Sequence, residues 1–243
     1  MTPPERTRRA CDAPAPSRIM AHYRIRDGIG FVRFEGRTII LDVMADRYWQ
    51  LGADAGAALE ALRTGEARRA DERSMARLLA LGFVVPADNR PDEASPAECR
   101  LPPPSVSMLE QSASPSRAYW TAIGEVALLA FAARIVLRAR PLKAVLDRIK
   151  VRRMRTRSPA KGPELDVLAQ QFARLRRLLP LRPLCLPDSI AFLWFVMRRG
   201  HAPRLVFGVE AFPFTAHCWV QDGDTVLTDA LDHAGRFRPI LAI

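Results

Sequence analysis

Two periods divide the chain. Between His22 and Leu51 apolar and polar side chains alternate or gather in short β-branched runs; beyond Ala53 they recur every three to four positions. Phe31 to Glu35 alternates, Gly36-Arg37 supplies a turn, and Thr38 to Val43 follows as a second strand. Arg47 to Leu51 reads as a third strand, short and aromatic, ended by Gly52. Ala53 to Leu62 predicts a helix with Ala57, Leu59 and Leu62 inward. Asp71 to Leu81 predicts another, with Met75, Leu78 and Leu79 on one face and Gly82 as its stop. Phe83 to Pro86 closes the unit. A small sheet followed by helices over residues 21–88 predicts a winged-helix-like domain, with residues 1–20 as a flexible tail.

Periodicity fades over residues 89–116, where Pro91, Pro96 and Pro102 to Pro104 mark a linker. Arg117 to Lys150 returns to helical spacing, split by Pro141, and Arg152 to Arg157 reads as a basic connector. Glu164 to Leu179 predicts an amphipathic helix. Pro187-Asp188 opens a strongly apolar one, Ser189 to Arg199, that Gly200 ends. Arg204 to Glu210, Ala216 to Gln221 and Thr225 to Asp229 predict strands of an antiparallel sheet, with Asp222-Gly223-Asp224 as a hairpin turn. The fold class is α+β, with residues 117–243 forming a helical segment joined to a C-terminal domain.

Composition narrows the choices. With 243 residues, 49% of them hydrophobic, the chain has ample material for packed cores, which excludes global disorder. The net charge of +11 is uneven: residues 91–182 carry 17 basic and 8 acidic groups, whereas residues 183–243 carry 5 and 6. The would-be recognition helix of the first domain opens with Asp71 and Glu72, which argues against nucleic acid as a partner. The least polar stretch, Tyr119 to Leu137, is interrupted by Glu125 and Arg134, so a buried helix is expected there and membrane association is not. Four cysteines without C-x-x-C spacing, behind a polar N-terminus, point to a cytoplasmic protein with reduced thiols. No spacing suggests a metal site.

The last sixty residues carry the candidate chemistry. Cys185 lies just before an apolar helix, where unpaired backbone N–H groups favour thiolate and could donate to an oxyanion. His217 falls in a strand and Asp229 on its neighbour across a tight turn, so the carboxylate could hold one imidazole nitrogen while the other faces sulfur. Nucleophile, base and orienter are what acyl transfer by a thiol requires. Cys218 points away from His217 and is assigned to the core. Asp232 is the rival carboxylate, and His22, His201 and His233 are assigned to solvent. Tyr48 and Trp49 would be core unless their strand is an exposed edge, which could accept an extra strand from a peptide.

Leu184 to Leu186, Ala191 to Trp194, Arg198 to Gly200, Arg204 to Val209, Pro213-Phe214, Ala216 to Val220 and Val226 to Asp229 together resemble lasso-peptide biosynthesis B proteins. Leu41-Asp42 and Asp46 to Trp49 are similar to the PqqD-like leader-recognition element fused to such proteins. The resemblance implies a PqqD-type first domain and a transglutaminase-like (papain-like) cysteine protease that removes the leader of a ribosomal precursor peptide. It implies Cys185, His217 and Asp229 as catalytic residues. Arg47, Tyr48, Trp49, Leu51 and Leu78 would then form the leader-binding tract. A macrolactam synthetase related to asparagine synthetase would be the partner, through which the maturation system could depend on ATP; the peptidase itself would need no cofactor. Two other readings stay open: a transglutaminase-type acyl transferase, and a non-catalytic peptide- or DNA-binding module.

Overall fold

The computed structural model describes residues 23–66, 70–87, 101–111, 122–156 and 164–243. The expected tail 1–20, His22, Cys11, Cys99 and the remainder of the linker lie outside the described residues.

Strands β1 (Tyr23–Ile25), β2 (Ile29–Phe34), β3 (Arg37–Asp42) and β4 (Arg47–Gly52) precede helices α1 (Ala53–Arg63) and α2 (Glu72–Ala80), and β5 (Val84–Pro86) follows. β2, β3 and β4 form an antiparallel meander, and β1 pairs with β5 in a separate ribbon. Local chemistry explains the turns. Gly36 takes the left-handed conformation at the first hairpin, with φ of 71°. At the second, Asp42 accepts the amides of Met44 and Ala45 at 3.0 and 3.2 Å, and Arg26 Nη2 donates to it at 2.7 Å. Asp71 caps α2 by accepting the Ser74 amide at 3.0 Å. Ala57, expected inside, is exposed; the stripe of α1 that packs is Ala55, Ala58, Leu59 and Leu62.

β3 is apolar on both faces, and each face enters a different core. Ile40, with Ile25, Ile29 and Leu51, packs against Leu59, Leu62, Leu78 and Phe83 of the same module. Ile39, Leu41 and Val43, with Val32, Phe34 and Tyr48, pack into the main cluster of the C-terminal region. The run from Thr38 to Val43 therefore lacks alternation because neither side meets water.

The remaining elements are β6 (Val106–Ser107), α3 (Ile123–Ala139), α4 (Leu142–Arg155), α5 (Leu165–Arg177), α6 (Cys185–Met197), β7 (Arg204–Ala211), β8 (Phe214–Asp222), β9 (Thr225–Val226), α7 (Leu231–Gly235) and β10 (Arg238–Ala242). They build a sheet of order β10-β7-β8-β9-β6, antiparallel except for the β6–β9 pair. α6 packs on it with Ile190, Phe192, Leu193 and Phe195 fully buried, flanked by α3 and α5.

Several expectations shift. Part of the expected linker is structural, since β6 completes the sheet and Met108 N donates to Val226 O at 2.9 Å. The expected basic connector is instead the last turn of α4, which continues to Arg155. α6 begins at Cys185 rather than Ser189, because an N-terminal turn leaves its first amides without helical partners and so tolerates Pro187.

The two modules meet at β10. A Cβ on Gly30 of β2 would run into the Ile240 carbonyl, so only glycine permits this approach. Arg238 Nη1 donates to the Arg33 carbonyl at 2.6 Å, Arg37 lies 3.9 Å over the Phe212 ring, and Tyr48 meets Phe214 edge-on at 5.5 Å. No helix among the described residues is long and apolar enough to cross a membrane.

Candidate active site

Cys185 is the first residue of α6 and is exposed. Its amide and that of Leu186 belong to the first turn, which has no i−4 acceptors inside the helix. The helix start is held by charge. Asp188 Oδ2 accepts the Leu184 amide at 3.1 Å, while its Oδ1 accepts from Arg134 Nη2 at 3.1 Å and Arg176 Nε at 3.0 Å. The same two arginines, both buried, also donate to the carbonyls of Leu181 and Arg182. The backbone leading into Cys185 is thus held from α3 and α5 at once.

His217 stands in β8 opposite Gly208 of β7. A Cβ on Gly208 would lie 2.6 Å from the Trp219 ring and 2.8 Å from Phe237, so the bare glycine lets both rings close over this face. His217 stacks near them, with centroids 6.2 Å from Trp219 and 5.1 Å from Phe237. Its Nε2 is 2.6 Å from Asp229 Oδ2, which leaves Nδ1 for the Cys185 sulfur. Asp229 sits in a bend just past β9, not on a long strand, because pairing with β8 ends at the Leu227 amide and the Thr228 hydroxyl. Ser107 of β6 donates to the Asp229 carbonyl at 2.6 Å and pins that bend.

The electrostatics favour an ion pair. Hydrogen bonds from the Cys218 thiol and from His217 outweigh burial and pull the Cys185 thiol down to about 4. Burial opposes charge on His217, but its bonds to Asp229 and Cys185 prevail and raise it to about 9. Burial likewise opposes charge on Asp229, yet hydrogen bonds from His217 and His233 keep its carboxyl below the ordinary range. The bond Cys218 gives to Cys185, together with burial, pushes its own thiol well up, so it stays a donor. Near neutrality the site holds thiolate and imidazolium, the reactive state of a thiol nucleophile.

The structure thus brings together the three residues expected from sequence. It also adds two that were set aside. Cys218 is core, as expected, and its sulfur nevertheless reaches Cys185. His233, expected in solvent, places Nδ1 2.7 Å from Asp229 Oδ2. Its spacing of four from Asp229 was the available signal, since that separation closes one helical turn. Asp232, the rival carboxylate, is exposed. A cavity of about 590 Å³ opens beside the sulfur, lined by Leu109, Phe172, Leu181, Leu227 and the three site residues.

On β4, Arg47, Tyr48 and Trp49 retain accessible surface, and β4 hydrogen-bonds only to β3 among the described residues. Leu51 and Leu78 are 6% and 0% exposed inside the module's own core, which removes them from direct peptide contact. The ligating atoms of His217, Asp229 and His233 lie within 4.8 Å of one another. Both nitrogens, however, point at one carboxylate oxygen at 2.6 and 2.7 Å, closer than ligands around a zinc ion stand, so the cluster is a hydrogen-bonded chain.

Residues 127–242 match the transglutaminase-like superfamily. The C-terminal region carries a transglutaminase-like domain. Its match spans α6, β7, β8 and β10, and so contains Cys185, His217 and Asp229. Such a domain fits a peptidase or an acyltransferase. No curated protein and no solved structure matches the chain.

Proposed function

We propose that this protein is the leader peptidase of lasso-peptide maturation, capturing a precursor on its PqqD-like N-terminal module and cutting the leader–core bond at Cys185. The observation that carries the reading is the juxtaposition itself: a thiol at a helix start, an imidazole whose Nε2 is 2.6 Å from a carboxylate, and one open cavity lined by all three. The Cys185 thiolate attacks the carbonyl of the last leader residue, and the oxyanion takes the first-turn amides of α6. Protonated His217 gives its Nδ1 proton to the departing amine, while Asp229 holds Nε2. Neutral His217 then takes a proton from water, which hydrolyses the acyl-enzyme and restores the thiolate–imidazolium pair. The released amine would pass to the macrolactam synthetase.

The edge of β4, which no other strand among the described residues pairs with, supports the capture step. An extended leader would add there as a strand, bonded by backbone, with Arg47, Tyr48 and Trp49 beside it. Tyr48 packs into the C-terminal cluster rather than its own module's, so a peptide on this edge would lie alongside the C-terminal half. Tethering raises the local concentration of the scissile bond.

Incubating C185A with the precursor and weighing the products tests the reading. Wild type is expected to yield leader and core with one water added, and C185A to yield neither. Products joined to an amine instead would favour the acyl transferase, which the same triad could serve.

A further inference from the structure

Asp229 is a carboxylate with an unusual load. Its Oδ1 accepts the Ala230 amide at 2.8 Å, and its Oδ2 takes two imidazoles, His217 Nε2 and His233 Nδ1. The terminal torsion of an aspartate is broad and soft, so its own rotamer does not set the plane of the carboxylate. Hydrogen bonds must set it, and the bend beyond β9 offers few. Resting on the thiol chemistry proposed for Cys185, we propose that His233 is a positioning residue: its Nδ1–H bond to Oδ2 holds the Asp229 carboxylate against His217.

The surroundings are built for that task. α7 returns His233 over Asp229 in one turn, anchored by Ala234, which is fully buried, and by the Leu231 amide on Glu110 Oε1 at 2.9 Å. The His233 ring stands edge-on to His217 at 4.7 Å and to Phe237 at 5.4 Å, so two contacts brace it although it is 46% exposed. Groups facing His217 are the Cys185 sulfur from α6, Asp229 from the bend and His233 from α7. Trp219 and Phe237 close the rest with rings. A carboxylate free to turn would support the imidazolium less, and His217 would lose its proton at lower pH.

The test reads the ion pair without substrate. Alkylation of Cys185 by iodoacetamide, followed by peptide mapping from pH 3 to 11, reports thiolate formation at low pH and loss of the His217 proton at high pH. H233A is expected to move the upper inflection down by about one pH unit, a scale set by 1.4 kcal/mol per unit. H233N, whose amide can donate from a similar position, is expected to restore it. With precursor peptide, H233A is expected to lower kcat roughly tenfold, the scale of losing an orienting outer hydrogen bond, with KM unchanged. H233L serves as the loss variant if alanine unfolds α7. An upper inflection unmoved in the loss variant overturns the inference, as does asparagine behaving like the loss variant. A C185A protein that still cleaves overturns the thiol chemistry and this inference together; an inactive C185A with an unmoved inflection overturns the inference alone.

Discussion

Cys185 and His217 set a pH window of their own. The thiolate forms as pH rises through about 4, and the imidazolium is lost as pH rises through about 9. The working form needs both, so kcat/KM is expected to be bell-shaped between those limits, reported as macroscopic values of the pair. Removing the Cys218 thiol takes away the first of the bonds that hold the thiolate. C218A is therefore expected to raise the acid limb while leaving the alkaline one nearly in place, measured on the same pH profile. Cys218 illustrates what sequence alone hides. Alternation places residues 217 and 218 on opposite faces of β8, and only the position of α6 lets one sulfur meet both.

The elements show the same mixture of legible and hidden features. Helical spacing located α1, α2, α5 and α6 to within a few residues, since their periodicity is local. β6 was not legible, because two residues carry no period and owe their place to pairing with β9, more than a hundred residues away. Nor was α7, whose five residues are too few to show a helical period. The start of α6 depends on partners equally distant in sequence. Asp188 balances two buried guanidiniums, so D188A leaves Arg134 and Arg176 uncompensated. It is expected to cost about 3 kcal/mol of stability, the lower range for breaking a buried pair, read as a shifted urea midpoint. D188N, which keeps a carbonyl acceptor and loses the charge, is expected to cost less. Leu51 and Leu78 show a general ambiguity: an amphipathic stripe marks a buried face without saying whether the neighbour is a ligand or the module's own core, where both side chains lie here.

At the scale of the molecule, β2 to β4 serve two cores at once. The sequence showed two modules and a proline-rich stretch between them, which reads as beads on a string. It could not show that Ile39, Leu41 and Val43 face the C-terminal cluster, because a fully apolar strand looks the same whatever covers it. A shared strand couples the melting of both parts. Calorimetry is expected to give one cooperative transition, with calorimetric and van't Hoff enthalpies equal, rather than two. G30V, which drives a side chain into the Ile240 carbonyl, is expected to lower that transition and to split it.

The ribbon from Leu101 to Gln111 belongs with the C-terminal half although it lies upstream of the matched region: Ser107 pins the bend of Asp229, Leu109 lines the cavity, and Glu110 anchors α7. A division of the chain that respects these contacts therefore comes before Leu101. Dividing the gene there would hand this strap to the half that needs it, whereas a division after Gln111, eleven residues later, would leave the thiol and imidazole in place with their carboxylate unbuttoned.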